Sequence, residues 1–264
     1  MQLRHRVALD GAWLDEIDWR IMIQKIETGD GKMNISTVSL AADGSRVTGV
    51  HRDSLDITVK FNIKLRKTEM AAREEVLEKV NAWAAAGGVL TTNYKANRKI
   101  VVFLAQAAGA GDPWDWTKEY SLVFRACGVP YWQQENPTTV IRQNMSSGSL
   151  SIAVDGSARG VIEAAFKNTS GSTCGTFSIN TGESSMSFTD LGLASGETLE
   201  IDHKDNGKKN VLRLRIRSAG GAYRSVLDKR SGSDDLYVNP GSHTVTITAA
   251  KAGTVTVSSC GRFA

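Results

Sequence analysis

The stretch from Asp56 to Leu90 constrains this chain more than any other. Ile57, Val59, Phe61, Ile63 and Leu65 alternate with Asp56, Thr58, Lys60, Asn62 and Lys64, which predicts a strand with one buried face. A helix follows. Thr68 can cap it, and Glu69, Glu74 and Glu75 crowd its early turns, where the macrodipole favours negative charge. Val76, Val80, Trp83 and Ala84 make an apolar stripe with Leu77 on its shoulder, and Glu75 and Lys79 pair at i, i+4 on the other side. Gly87 and Gly88 end it, because glycine accepts the left-handed cap without Cβ strain. No other segment carries a convincing long-helix pattern. The rest reads as strands and turns.

A chain of 264 residues can hold one large domain or two small ones with proper cores. With 32 basic against 28 acidic residues, charge alone marks neither a nucleic-acid nor a membrane-surface protein. Cys127, Cys174 and Cys260 are odd in number and far apart, with no zinc-like spacing, which suits a protein made in a reducing cytoplasm. No apolar run approaches the roughly 18–20 residues that span a bilayer. Arg4, His5 and Arg6 break the N-terminal stretch, so a signal peptide is not expected.

All six tryptophans precede residue 137, and alternating stretches rich in Ser, Gly and Thr follow it. The segment Gln133 to Gly148, with Pro137, reads as a linker between domains 1–137 and 138–264. In the first domain, strands are expected over Met1–Leu9, over Ile17–Ile26 with Trp19, Ile21 and Ile23 on one face, and over Met33–Leu40. Asp43 to Asp53 reads as an exposed charged loop. Val89–Tyr94 and Lys99–Ala105 form a pair around a turn, and Trp116–Ala126 closes the domain. In the second domain, short strands between turn signals favour a β-sandwich, with Asn206-Gly207 as a type I′ hairpin signal.

Little here points to catalysis. His5, His51, His203 and His243 are scattered, and neither GxSxG nor HExxH occurs. Asp202 to Gly207 lacks the spacing of a calcium loop and reads as a hairpin. Arg213, Arg215 and Arg217 alternate with Leu212, Leu214 and Ile216, placing three guanidinium groups on one strand face. A phosphate-binding face is one reading. A solvated face neutralised by Glu200, Asp202 and Asp205 is the preferred one. Trp114, Trp116, Tyr131 and Trp132 could stack on sugars but suit a core or subunit interface better. No catalytic, metal-binding or cofactor-binding residue is assigned.

Taken in order, these pieces resemble the distal tail (Dit) family of long-tailed bacteriophages. The carriers are the alternating Ile57–Leu65 strand, the helix with Arg73 and Trp83, and Gly88-Val89-Leu90. They continue through Val101–Phe103 and Phe124 to Pro130-Tyr131-Trp132. In the second half they are Leu199 to Asp202, Tyr237 ahead of Pro240-Gly241, and Val255-Thr256-Val257. The chain departs from the pattern at its end, where Arg262-Phe263 stands in place of a frequent tryptophan. The resemblance implies a mainly β fold with one principal α-helix: an N-terminal ring-forming domain, then a galectin-like β-sandwich. It implies a ring of six copies at the virion tail tip, joining the tail tube to tail-tip or receptor-binding proteins, without enzymatic activity or cofactor. Arg46, Arg52, Trp114 and Trp116 are the candidate subunit-interface residues. The alternative is a carbohydrate-binding protein that contacts host-surface glycans through its C-terminal sandwich. No partnership with nucleic acid or membrane is expected.

Overall fold

The computed structural model describes residues 4–39, 45–65, 69, 72–109 and 119–264. It divides into two compact units, Met1–Trp132 with Asp205–Asn210, and Gln133–Lys204 with Val211–Ala264. The chain begins with β1 (Val7–Leu9), β2 (Ala12–Trp13), α1 (Leu14–Ile17), β3 (Ile21–Thr28), β4 (Lys32–Ser39), β5 (Ser45–Ile63) and α2 (Ala72–Ala85). After α2 come β6 (Gly88–Thr92), β7 (Arg98–Gln106), β8 (Tyr120–Ala126) and β9 (Trp132–Gln134). Then follow β10 (Thr138–Val154), β11 (Ala158–Asn168), β12 (Phe177–Asn180), β13 (Ser185–Phe188) and β14 (Thr198–Asp205). The last are β15 (Asn210–Arg217), β16 (Tyr223–Ser225), β17 (Arg230–Gly232), β18 (Tyr237–Val238) and β19 (Gly241–Phe263). The fold is mostly β-strand with one principal helix, as the sequence predicts.

In the first unit the alternation of the central strand sets the packing. Ile57, Val59 and Phe61 are fully buried, joined by Leu55 one step earlier. β5 lies between β3 and β8, with Ile21 opposite Ile63 on one side and Phe61 opposite Tyr120 on the other. β8 continues to β7, β7 to β6, and β6 to β1, all antiparallel. Helix α2 buries Val76, Leu77, Val80 and Ala84, and also Arg73, whose Nη1 donates to the Tyr120 hydroxyl at 3.2 Å. Trp83 is half-buried, edge-on to Phe124 at 6.0 Å, with its indole N–H donating to the Ala12 carbonyl. The helix stops at Gly87 (φ 64°), whose N–H returns to the Ala84 carbonyl. A Cβ there would lie 2.4 Å from the Val102 carbonyl oxygen, so both the conformation and the close approach require glycine. The expected cap, Thr68, lies outside the described residues.

Three expectations change. The charged segment expected as a loop from Asp43 to Asp53 is strand from Ser45 onward, the first half of a 19-residue β5 paired with β4. Val47, Thr48 and Val50 give that segment β-branched character, which outweighs the two glycines and the charges. Within the strand expected over Met1–Leu9, the described residues 4–9 are strand at Val7–Leu9, and the strand expected at Ile17 starts at Ile21. Before it, Asp18 folds back on Arg20, with Oδ1 accepting from Nε at 2.8 Å and Oδ2 from Nη2 at 2.7 Å, so Trp19 sits in a turn and not on a strand face. The supposed linker is mostly strand as well. Ser147-Gly148 lies inside β10, opposite Thr248 and Ile247. Two 17- and 23-residue strands run as a pair through that region, and serine and glycine are tolerated because each finds its ladder partner.

In the second unit β19 binds two sets of strands. Its C-terminal half pairs with β10 and β11, and β11 pairs on with β14. Its N-terminal half pairs with β10 and β12, and β12 pairs on with β13 and then β17. Inward residues of both sets share one core, including Leu150, Ile152, Phe166, Phe177, Ile179, Phe188, Leu199, Val245 and Val257. Phe166 stacks on Phe177 at 5.1 Å, and Phe177 meets Phe188 at 6.4 Å.

Candidate functional site

The arginine strand projects into an ordered charge ladder. Alternation along β14 turns Leu199 and Ile201 inward and Glu200 and Asp202 outward, and β15 does the same with Leu214 and Ile216 against its arginines. Arg213 holds Asp202 in a fork, with Nε to Oδ1 at 2.9 Å and Nη2 to Oδ2 at 2.5 Å. Arg215 bridges Glu200 (2.9 Å) and Asp202 (3.3 Å), and Arg217 closes on the other Glu200 oxygen at 2.8 Å. Glu200 and Asp202 therefore neutralise the face, as expected. Of Asp205, the third carboxylate expected there, Oδ1 accepts the Gly207 N–H at 2.8 Å. The turn is also of another type. Asn206 N–H donates to the Lys209 carbonyl, and Gly207 alone of the central pair Gly207-Lys208 has positive φ (78°), the pattern of type II′.

The ladder borders an open groove of about 380 Å³ that also includes Glu163, Tyr223, Thr256 and Ser258. The Arg215 guanidinium lies 4.1 Å from the Tyr223 ring centroid and covers one of its faces. Every arginine of the ladder has its carboxylate, so little charge is left to capture a phosphate.

Behind this face lies a charged group that the sequence pattern did not single out. His203 continues the inward parity of Leu199 and Ile201 and is 8% exposed. Its Nε2 is 2.9 Å from Oδ2 of Asp235, itself 10% exposed, and its backbone N–H donates to Glu163 at 2.9 Å. Nδ1 lies 3.4 Å from Glu163 Oε1 without hydrogen-bond geometry. Burial alone would lower the His203 pKa, but the hydrogen bond with Asp235 and the charges of Asp235 and Glu163 outweigh it and raise it to about 9. Burial likewise works against the Asp235 carboxylate, and pairing with His203 overrides that and lowers its pKa. The result is a protonated, paired histidine.

The first unit presents a different surface. β4 and β5 form a two-stranded ribbon beyond the body of the sheet, and the described residues Met33 to Thr37 are all exposed. Met33 and Ile35, at 54% and 58% exposure, share one face. Trp19 is 81% exposed on a turn fixed by the Asp18–Arg20 fork, and hydrogen bonding from Arg20 lowers the Asp18 pKa to about 2. Neither surface was anticipated as such, although Met33 and Ile35 alternating with polar residues was a readable signal.

Of the four residues expected at a subunit interface, Arg46 lies on the ribbon opposite Val38, and Arg52 lies opposite Met33. The Arg52 guanidinium rests 4.8 Å from the Tyr131 ring centroid and donates to the Pro130 carbonyl at 3.3 Å. Trp114 and Trp116 lie outside the described residues. Of the other two aromatics in the considered stacking platform, Trp132 is fully buried and belongs to the core, while Tyr131 packs with Arg52.

Among the described residues no group of three or more His, Cys, Asp or Glu could hold a metal, and no helix is long and apolar enough to cross a membrane. No protein-family model matches the chain, and no curated protein does. Solved structures do. The phage SPP1 Dit (gp 19.1) protein, described as a paradigm of the hub adsorption apparatus in phages infecting Gram-positive hosts, aligns with a TM-score of 0.62 at 14% identity. That alignment covers 97% of this chain and 98% of the other. Chains of the phage p2 baseplate in its activated conformation also align. With Sr the TM-score is 0.45 at 7% identity, covering 96% and 97%; with Ca it is 0.47 at 8%, covering 99% and 98%. Over nearly its whole length, the chain has the fold of a phage distal tail protein.

Proposed function

We propose that the chain is a structural hub of a phage tail tip and not an enzyme. Copies close into a ring, six by the family resemblance, that joins the tail tube to tail-tip or receptor-binding proteins. Residues 1–137 form the ring, and residues 138–264 form a galectin-like sandwich. The observation that carries this reading is the β4–β5 ribbon. A two-stranded ribbon with apolar side chains exposed is marginal in water, and free strand edges invite pairing with another chain. Another copy that covers Met33 and Ile35 removes both problems. Arg46, Arg52, Trp114 and Trp116 remain the residues assigned to the contact.

Native mass measurement tests this. The wild-type chain should populate an oligomer at micromolar concentration, and Met33→Asp/Ile35→Asp should shift it to monomer with an unchanged circular dichroism spectrum. An equally oligomeric variant would remove the ribbon from the contact.

Host-glycan binding through the sandwich is the rival reading, and the groove with Tyr223 is its best location. The ladder opposes it, because its guanidinium and carboxylate groups already satisfy one another and Arg215 covers one Tyr223 face. Titration of galactose or cell-wall polysaccharide against the full chain should give no saturable signal. Submillimolar binding would favour the rival.

A further inference from the structure

The ribbon needs a surface to land on, and the same unit carries one of complementary character. Trp19 stands out from its turn almost wholly in solvent. The turn is not loose, since the buried Asp18 carboxylate holds Arg20 through two side-chain hydrogen bonds and one to the Arg20 backbone N–H. A rigid, exposed indole loses little conformational freedom on binding and is the side-chain type most enriched at the energetic centre of interfaces. The turn abuts helix α2: Lys79 Nζ is 3.8 Å from Asp18 Oδ2 and 2.5 Å from Glu75. The outward face of that helix carries exposed Glu74, Glu75 and Glu78 against Lys79 alone, a net charge of −2. The ribbon has the opposite sign. By sequence, its segments 32–39 and 45–54 carry Lys32, Arg46 and Arg52 against Asp53, a net charge of +2.

We infer that Trp19 and the acidic outer face of α2 form the docking surface for the β4–β5 ribbon of a second copy. Met33 and Ile35 would cover the indole, and the basic ribbon would meet the glutamates. The contact joins two different surfaces, so it is head-to-tail and can generate a ring. Apolar burial at Trp19 would supply most of the affinity, and the charges would steer the approach and fix the direction. This inference rests on the self-association proposed above and names where that association occurs.

A photoreactive p-benzoylphenylalanine in place of Trp19 in the full chain tests it. Irradiation should give a covalent dimer whose cross-linked peptide falls within residues 32–54 of the other copy. Cross-links elsewhere, or none at position 19 while native mass shows an oligomer, would overturn this docking surface and leave self-association standing. A chain that stays monomeric and uncross-linked at every concentration would overturn both. Charge reversal reads the same contact without relying on position 19. Glu74→Lys/Glu78→Lys should raise the association midpoint about tenfold, which is about 1.4 kcal/mol, and adding Arg46→Glu should recover part of the loss. An unchanged midpoint in the glutamate variant would overturn the role of the acidic face.

Discussion

Replacing Asp235 by alanine should destabilise the second unit by about 3–5 kcal/mol, the usual cost of leaving a buried charge without its partner. The His203 side chain is largely buried, and Asp235 is the group that meets its Nε2. Without that carboxylate the imidazole must either lose its proton or remain charged beside Glu163 alone. The wild type should show the same interaction in its pH dependence. The His203 pKa is raised in the folded state, so its contribution is complete below the ordinary value of 6.5 and is lost as pH climbs through about 9. The difference between those values corresponds to about 3 kcal/mol of stability. Denaturant unfolding at a series of pH values measures both effects. The Asp235→Ala variant should be least stable relative to wild type at pH 6 and should approach it above pH 9. A wild type with flat stability across this range, or a variant within about 1 kcal/mol of it at pH 6, would contradict the charged pair.

Truncating Phe166 to alanine should cost a similar amount, about 3–5 kcal/mol. Its ring is fully buried, stacks on Phe177, and lies against the backbone at Gly253, where an added Cβ would meet ring atoms at 2.4 Å. Such a close fit leaves the surroundings little room to collapse into the vacated space, so both the lost burial and the cavity contribute. Phe166→Leu keeps most of the apolar volume and should cost less than half as much. Equal unfolding midpoints for wild type and Phe166→Ala would mean that Phe166 is not at the centre of this core.

What could be read from the sequence was whatever local periodicity controls. The alternation from Asp56 to Leu65 marked β5 correctly through Ile63 and its buried parity, and the α2 stripe with its glycine stop was equally plain. The arginine face of β15 and its carboxylate partners on β14 were also legible, because facing strands pair charges directly. Charge and glycine content misled at Ser45–Asp53, where pairing with β4 decides the conformation. The same happened at Ser147-Gly148, where the partners lie about 100 residues away in β19. Trp19 reads as part of a strand because it alternates with Ile21 and Ile23. Its exposure depends on the Asp18–Arg20 fork, which no period announces. The His203–Asp235 pair joins residues 32 apart and has no local signal at all.

The central claim is that this chain closes on itself through its first unit. Negative-stain images of the purified full-length protein, taken across a concentration series and class-averaged, test it most directly. The account predicts closed rings of uniform size with six-fold symmetry, each with a central opening, growing in number as concentration rises. Isolated monomers at every concentration, or open filaments without closure, would contradict it.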